Sequence, residues 1–461
     1  MSRMRNSLSF VITSVLTISM LLSSFTFMYE CESSVPSEVP LEYKILYSNL
    51  EKKLDEFNTT LHGWNGTLSS KYGSNVLTAN AHRGKDLLKS TALTGAKLEI
   101  QRLKEMGVSA VTLSIGFPMF NQTYFKEDRE KYLEFYKGVV DEIRRLNLTL
   151  IIESGAIFSQ GGYTELDLSD FYQNLSYSEY IDGRLNTLLD IASELSPDYL
   201  TVGCEPDTEE KQSGKKVNSP SSYSEIVKYF SEEIKKINQS IMVGAGIGTW
   251  ENRYEEFVES YCKNTSLDYI DMHIYPINLD FLQRAERIVN LSSKYGKKNG
   301  ISEAWLYKAS DIELAFVSDT KIFARDVFSF WSGLDVYFLK NLVAFSSMKN
   351  LEFLTPFWSK YFFAYLEYSK YRYKSDSMLM SLSSKDASNN IQAGKYSKTG
   401  AAYAYIITNG SVKLDIEKEE NCCTCSSIIL FSSIFLATIA VFVLFLRSRK
   451  KSKIEKELKN S

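Results

Sequence analysis

The stretch LDYIDMHIYPINLDFLQRAERIVNLSSKYGKKNGISEAW, Leu267–Trp305, decides the fold. Its first ten residues, Leu267–Pro276, are apolar and β-branched and end at a proline, which reads as a buried strand. Asn278–Gly296 has its apolar residues at helical spacing and closes on glycine. Gly300–Tyr307 is a second apolar run. Strand, helix and strand in that order form a crossover unit with parallel strands.

The same alternation extends in both directions. Upstream strands are predicted at Val76–Ala81, Ser109–Pro118, Leu148–Phe158, the segment DYLTVGCEP ending at Pro206, and Ile241–Gly248. Downstream, Leu351–Trp358 is an eighth. Helical patterns separate them, among them Phe125–Leu146, Ser222–Ile237 and Tyr254–Lys263. Eight strands alternating with helices predict an α/β fold, the (β/α)8 TIM barrel, over residues 76–360. No glycine fingerprint follows the first strand, which weighs against a doubly wound dinucleotide domain. Two connections, Ser159–Tyr180 and Ala309–Asn350, are long, and the second is expected to carry helices over or beside the barrel mouth.

The flanks read differently. Residues 1–30 hold Arg3, Arg5 and the apolar run Leu8–Met28, a signal peptide or an anchor. Residues 32–75 form a lead-in with one helical pattern. Residues 361–425 are expected to form a small β extension and stalk, because Ala401–Ile416 alternates around Asn409-Gly410 as a hairpin does. Ile428–Leu446 is 19 residues without a charge, followed by the basic tail 447–461. This pattern predicts a transmembrane helix, a membrane partner, and a single-pass cell-membrane protein with its barrel outside. Nine N-x-S/T sequons, at Asn58, Asn65, Asn121, Asn147, Asn174, Asn238, Asn264, Asn290 and Asn409, suit a glycoprotein exposed there.

With 53 basic and 56 acidic side chains, charge is close to balance, and nothing points to nucleic acid. The six cysteines do not make a disulfide scaffold. Cys422, Cys423 and Cys425 lack a second ligand cluster, so no structural metal is expected.

Active sites of TIM barrels lie at the C-terminal strand ends. The polar residues there are Glu153 after strand three, Glu205 after strand four, His273 and Tyr275 on strand six, and Glu303 on strand seven. His82 and Arg83 follow strand one, and Trp358 ends strand eight. Glu303 sits among Ile301, Ala304 and Trp305, so its burial needs a partner. Two carboxyls across a barrel mouth suit acetal hydrolysis: one protonates the leaving oxygen, the other attacks the anomeric carbon.

At these residues the chain resembles the clan A glycoside hydrolases, retaining enzymes on a (β/α)8 barrel. The resemblance rests on Cys204-Glu205-Pro206 after strand four, His273-Ile274-Tyr275 on strand six, ISEAW at Ile301–Trp305 and Trp358 on strand eight. It implies that Glu205 is the acid/base, that Glu303 is the nucleophile held by Tyr275, and that Trp358 is a platform beneath the sugar. It implies a glycan or polysaccharide substrate and neither metal nor cofactor. Trp305 is a second candidate platform, and Glu153 and Arg83 are candidate sugar contacts. The pattern departs from the family at Cys204, where an Asn usually holds the sugar 2-hydroxyl. A thiol is a weak donor and acceptor and cannot reproduce that contact. A transglycosylase and a non-catalytic glycan-binding or structural barrel are the alternative readings. No G-x-S-x-G elbow is present to support an esterase.

Overall fold

The computed structural model describes residues 35–159, 164–275 and 280–410. Eight parallel strands close into a barrel in chain order. They are β1 (Lys71–Asn75), β2 (Ala110–Ser114), β3 (Thr149–Glu153), β4 (Tyr199–Thr201), β5 (Met242–Gly248), β6 (Tyr269–Ile274), β7 (Lys298–Ala304) and β8 (Phe353–Leu354). Closure comes from β1 pairing β8, with Lys71 opposite Phe353 and Tyr72 opposite Leu354.

The helices that matter below are α1 (Lys44–Thr60), α2 (Ala92–Met106), α3 (Asp128–Arg145), α4 (Tyr177–Asp190), α5 (Pro206–Ser213), α6 (Pro220–Ile237), α7 (Tyr254–Asn264), α8 (Phe281–Ser293), α9 (Asp319–Asp326), α10 (Ser332–Met348), α11 (Asp376–Ala393) and α12 (Lys398–Thr408). Their starts carry the expected chemistry. Ser176 and Glu179 form a reciprocal capping box on α4. Proline opens both α5 and α6, where the missing N–H costs nothing.

The barrel interior is layered. Tyr199, Tyr269 and Phe353 pack edge to face at 5.1–5.6 Å and fill the lower end. Gly300 leaves the room they need, since a Cβ there would lie 2.3 Å from the Phe353 ring. Above them comes a polar layer. Thr201 Oγ1 donates to Asp271 Oδ2 at 2.6 Å, and Asp271 Oδ1 accepts from Ser302 N at 2.9 Å. Thr112 and Thr355 bond at 2.8 Å. The carboxyls of the mouth stand on this layer. A larger apolar core fills the space between strands and helices. On its outer side α1 packs on α10, with Tyr47 stacked on Trp331 at 5.8 Å and Phe57 against Phe345 at 5.6 Å.

Three expectations are corrected. The first strand is Lys71–Asn75, not Val76–Ala81, whose Leu77–Ala79 is a 3-10 turn. KYGSN carries little apolar signal because Ser74 and Asn75 face polar partners: Ser74 Oγ donates to Pro356 O and Asn75 Nδ2 to Ser302 O, both at 3.2 Å.

The second concerns the C-terminal β extension. Its described part is helical. Ser397 caps α12 by accepting from Gly400 N at 3.1 Å. Thr399, Gly400 and Tyr403 make one buried stripe at helical spacing. Tyr403 stacks on Phe362 at 5.0 Å and donates to Gly73 O at 2.9 Å. Burial against the barrel thus overrides the alternation. Asn409 and Gly410 end a helix, with Gly410 at φ 70°, instead of turning a hairpin.

The third is the membrane span. Among the described residues no helix is long and apolar enough to cross a membrane. This finding overturns the anchored, single-pass cell-membrane placement and its membrane partner. The run Ile428–Leu446, the segment 1–30 and Cys422, Cys423 and Cys425 lie outside the described residues.

Candidate functional site

Strand ends and one irregularity bring the site together. Between β6 and β7 the pairing steps from Met272–Ile301 to His273–Glu303, so Ser302 is the extra residue of a bulge. The bulge sets His273 beside Glu303 and turns the Ser302 hydroxyl toward both His273 and Glu153. Glu205 ends the β4 loop as the N-cap residue of α5, and its carbonyl accepts from Glu209 N at 2.8 Å. Its side chain is left to the mouth, making no cap bond.

His273 is the hub. Its Nδ1 lies 2.7 Å from Glu205 Oε1 and 3.7 Å from Glu303 Oε2. Its Nε2 lies 3.1 Å from Ser302 Oγ and 3.2 Å from Glu153 Oε2. Glu205 and Glu303 therefore present oxygens to one nitrogen. These two oxygens are thus no more than about 6.4 Å apart, short of the roughly 6.5–9.5 Å that inversion uses to fit a water. Tyr275 donates to Glu303 Oε2, and Ser114 donates to Glu153 Oε1.

The electrostatics follow from burial. Burial, then the Glu153 charge, pushes the Glu303 carboxyl well above the usual range. Burial pushes Glu153 the same way, but hydrogen bonds from His273 and Glu303 win and hold it at about 2. Burial opposes a charged imidazole at His273, yet Cys204 and Glu303, with Glu153, push it well above 6.5. The Cys204 thiol and the Glu303 carboxyl are themselves pushed well up by burial and stay neutral, so the ionised Glu153 at Nε2 supplies the partner charge. The site thus holds an imidazolium, an ionised Glu153 and a neutral Glu303.

The other expected residues divide. Glu153 lies in the site. Arg83 does not: it is exposed and reaches Asp86 at 3.9 Å. Trp305 is 1% exposed, with its ring stacked on Tyr361 at 5.5 Å, so it offers no face to a sugar. Trp358 is half-buried. The Lys360 ammonium covers one face at 4.8 Å, and Phe323 of α9 packs against it at 4.9 Å.

Lys360 is buried, and burial pulls its ammonium down to about 8 against the opposing charge of Asp326. Lys360→Met should raise stability at pH 7 by about 1–3 kcal/mol. Because the folded pKa lies below the ordinary 10.5, the penalty is full below pH 8 and fades toward 10.5. Urea unfolding of both proteins at pH 7 and pH 10 should show the gap closing as pH rises.

Residues without a motif complete the site. His82 Nε2 accepts from Phe158 N at 3.2 Å, and burial, against the charges of Glu153 and Glu205, keeps it neutral with a pKa near 4. Asp207, two residues past Glu205, is held by Trp250 Nε1 at 2.9 Å, and burial and then the Glu205 charge raise its pKa. Asp271 is buried beneath His273. Its position two residues before His273 on one strand is the signal that places both on the same face.

Cys204 points inward, 6% exposed, over Gly246. A Cβ on Gly246 would lie 2.4 Å from its sulfur and 2.5 Å from the Asp271 carbonyl. Gly246→Ala should cost about 1–3 kcal/mol, and Cys204→Ala should recover only part, since the carbonyl cannot withdraw. Thermal unfolding of the two single variants and the double variant checks this.

Cys204, Asp271 and His273, and separately Glu153, His273 and Glu303, bring ligand-type atoms within 4.8 Å of one another. Both nitrogens of His273 are committed to carboxylates and Ser302, so a cation would have to break those bonds first. Two cavities, of about 370 Å³ between α1 and Ala309–Ile312 and about 270 Å³ around Phe120, Arg129 and Asp190, include none of the site carboxyls.

No family model and no curated protein matches the chain. Among solved structures, it is similar to GH5_18 from Streptomyces cattleya in complex with GlcNAc, at 11% identity over 74% of this chain and 80% of that one, TM-score 0.49. It is also similar to a beta-glucosidase from Thermotoga maritima in complex with deoxynojirimycin, at 11% over 74% and 98%, TM-score 0.44. A third is endoglucanase Cel5A of Pseudomonas stutzeri, at 12% over 70% and 97%, TM-score 0.42. These likenesses add no argument to the (β/α)8 barrel described above.

Proposed function

We propose that the barrel hydrolyses glycosidic bonds by a retaining double displacement, with Glu205 as acid/base and Glu303 as nucleophile. The observation that carries this reading is the convergence of the two carboxyls, from opposite sides of the barrel, on one nitrogen of His273. Glu205, the more exposed of the two, would protonate the leaving oxygen. Glu303, steered by Tyr275, would attack the anomeric carbon, and Glu205 would then activate the water that frees the sugar. Glu153, ionised below them, favours the positive charge that grows on the ring at the transition state. The test is turnover of a panel of aryl glycosides and oligosaccharides by the protein and by Glu303→Gln. Equal turnover by both, or turnover by neither, defeats the proposal.

A second reading, a barrel that binds glycans without cleaving them, draws on Cys204. Its buried thiol leaves the mouth without the side-chain amide expected there. Glycan binding of equal strength by the protein and Glu303→Gln, with no turnover by either, would favour it.

A further inference from the structure

Glu303 must be ionised to attack and Glu205 must be protonated to assist, yet the resting site has its proton on Glu303. His273 stands where that mismatch can be resolved. One nitrogen, Nδ1, faces both carboxyls, at 2.7 Å from Glu205 and 3.7 Å from Glu303. The other, Nε2, is fixed against Ser302 and Glu153 at 3.1 and 3.2 Å, so the ring pivots little and keeps its charge partner.

We propose that His273 is a positioning residue that relays a proton from Glu303 to Glu205 through Nδ1, converting the resting pair into the reactive pair. This rests on the assignment of Glu205 and Glu303 above. The Nδ1 proton passes to Glu205 Oε1, and the carboxyl proton of Glu303 leaves its hydrogen bond to Glu153 and passes to Nδ1. Glu303 ends as a carboxylate, Glu205 as an acid, and His273 as the imidazolium it was. Nothing is exchanged with solvent, so resting and reactive forms share one protonation level. The Glu303 leg closes by a shift of roughly 0.5–1 Å to reach hydrogen-bond distance. Tyr275 holds the Glu303 oxygen toward that nitrogen.

The groups facing the imidazole favour this traffic. Glu153 from β3 is ionised, Cys204 and Glu205 come from the β4 end, Asp271 and Tyr275 from β6, and Glu303 from β7. His82, held neutral nearby, neither adds charge nor competes for the proton.

Two measurements test the relay. His273→Gln keeps a hydrogen-bonding amide near Glu205 but carries no proton. It should lower kcat by about 10²–10³-fold with KM changed far less. The acid limb of the pH profile should move up, because Glu303 loses the imidazolium charge that favours its ionised form. A variant with the parent's kcat and profile overturns the relay.

The second measurement needs neither turnover nor the folding of His273→Gln. The chain has three histidines, so ¹⁵N-histidine NMR of the full protein resolves each. At pH 7 His273 should be doubly protonated, and Glu303→Gln should shift its Nδ1 signal. A neutral His273, or an Nδ1 signal indifferent to Glu303→Gln, overturns the relay. Absence of glycan turnover by the parent would defeat the hydrolase assignment separately and leave the NMR result standing on its own.

Discussion

Glu303→Gln should lower glycan turnover by at least about 10⁴-fold while leaving the fold intact. The amide keeps the size of the carboxyl and still accepts the Tyr275 hydrogen bond, so the mouth keeps its shape. What it loses is the nucleophile. Stability should change little, because the carboxyl it replaces is already neutral and the amide can still donate a hydrogen bond to Glu153. Far-UV circular dichroism and urea unfolding check the fold, and initial rates on the substrate found in the panel check the chemistry. A loss of activity below tenfold would mean that another group attacks.

The largest expected effect on stability lies behind the site. Arg184 and Glu209 form an ion pair with both side chains almost fully buried. Tyr180 and Tyr223 donate to Glu209 at 2.8 and 2.7 Å, and Arg184 donates to Ser154 O at 2.9 Å and to Val202 O. The pair thus ties α4, α5 and α6 to the ends of β3 and β4. Removing one partner strands the other charge. Arg184→Met should cost about 3–5 kcal/mol. Adding Glu209→Gln should restore part of that, since a neutral amide replaces the orphaned carboxylate. Because Glu205 is the N-cap residue of α5, Arg184→Met should also loosen that carboxyl and reduce kcat. A destabilisation under 1 kcal/mol by urea unfolding would contradict this account of the pair.

Much of the barrel is legible in the sequence because seven of its strands carry apolar runs bounded by turns, such as Ile241–Gly248 and Leu267–Pro276. The first strand is hidden because KYGSN spends its inward positions on the polar layer. AAYAYIIT misleads because Tyr403 and Gly400 are buried by contact with Phe362 and Gly73, which a window of local residues does not contain. At the site, the spacing of strands brings out Glu153, Glu205, His273, Tyr275 and Glu303. The rings of Trp305 and Trp358 read as platforms because their chemistry suits sugars. Tyr361 on Trp305 and Phe323 on Trp358 come from segments distant in sequence, while Lys360, two residues past Trp358, takes one face of that half-buried ring. The bulge at Ser302 and the link from His273 to three carboxyls are tertiary facts without a local signature.

Cys204 also changes meaning. In sequence it stands where an amide would be expected to meet the sugar. In the fold its thiol turns down onto Gly246 and Asp271, and the mouth above is occupied by Glu205 and His273.

The claim that Glu205 and Glu303 act as a retaining pair is tested most directly by the anomeric configuration of the first product. Time-resolved proton NMR of the reaction on the best substrate of the panel reads it before mutarotation. The close approach of both carboxyls to His273 Nδ1 predicts a product with the anomeric configuration of the substrate. A product of inverted configuration, or no product from any member of the panel, would contradict it.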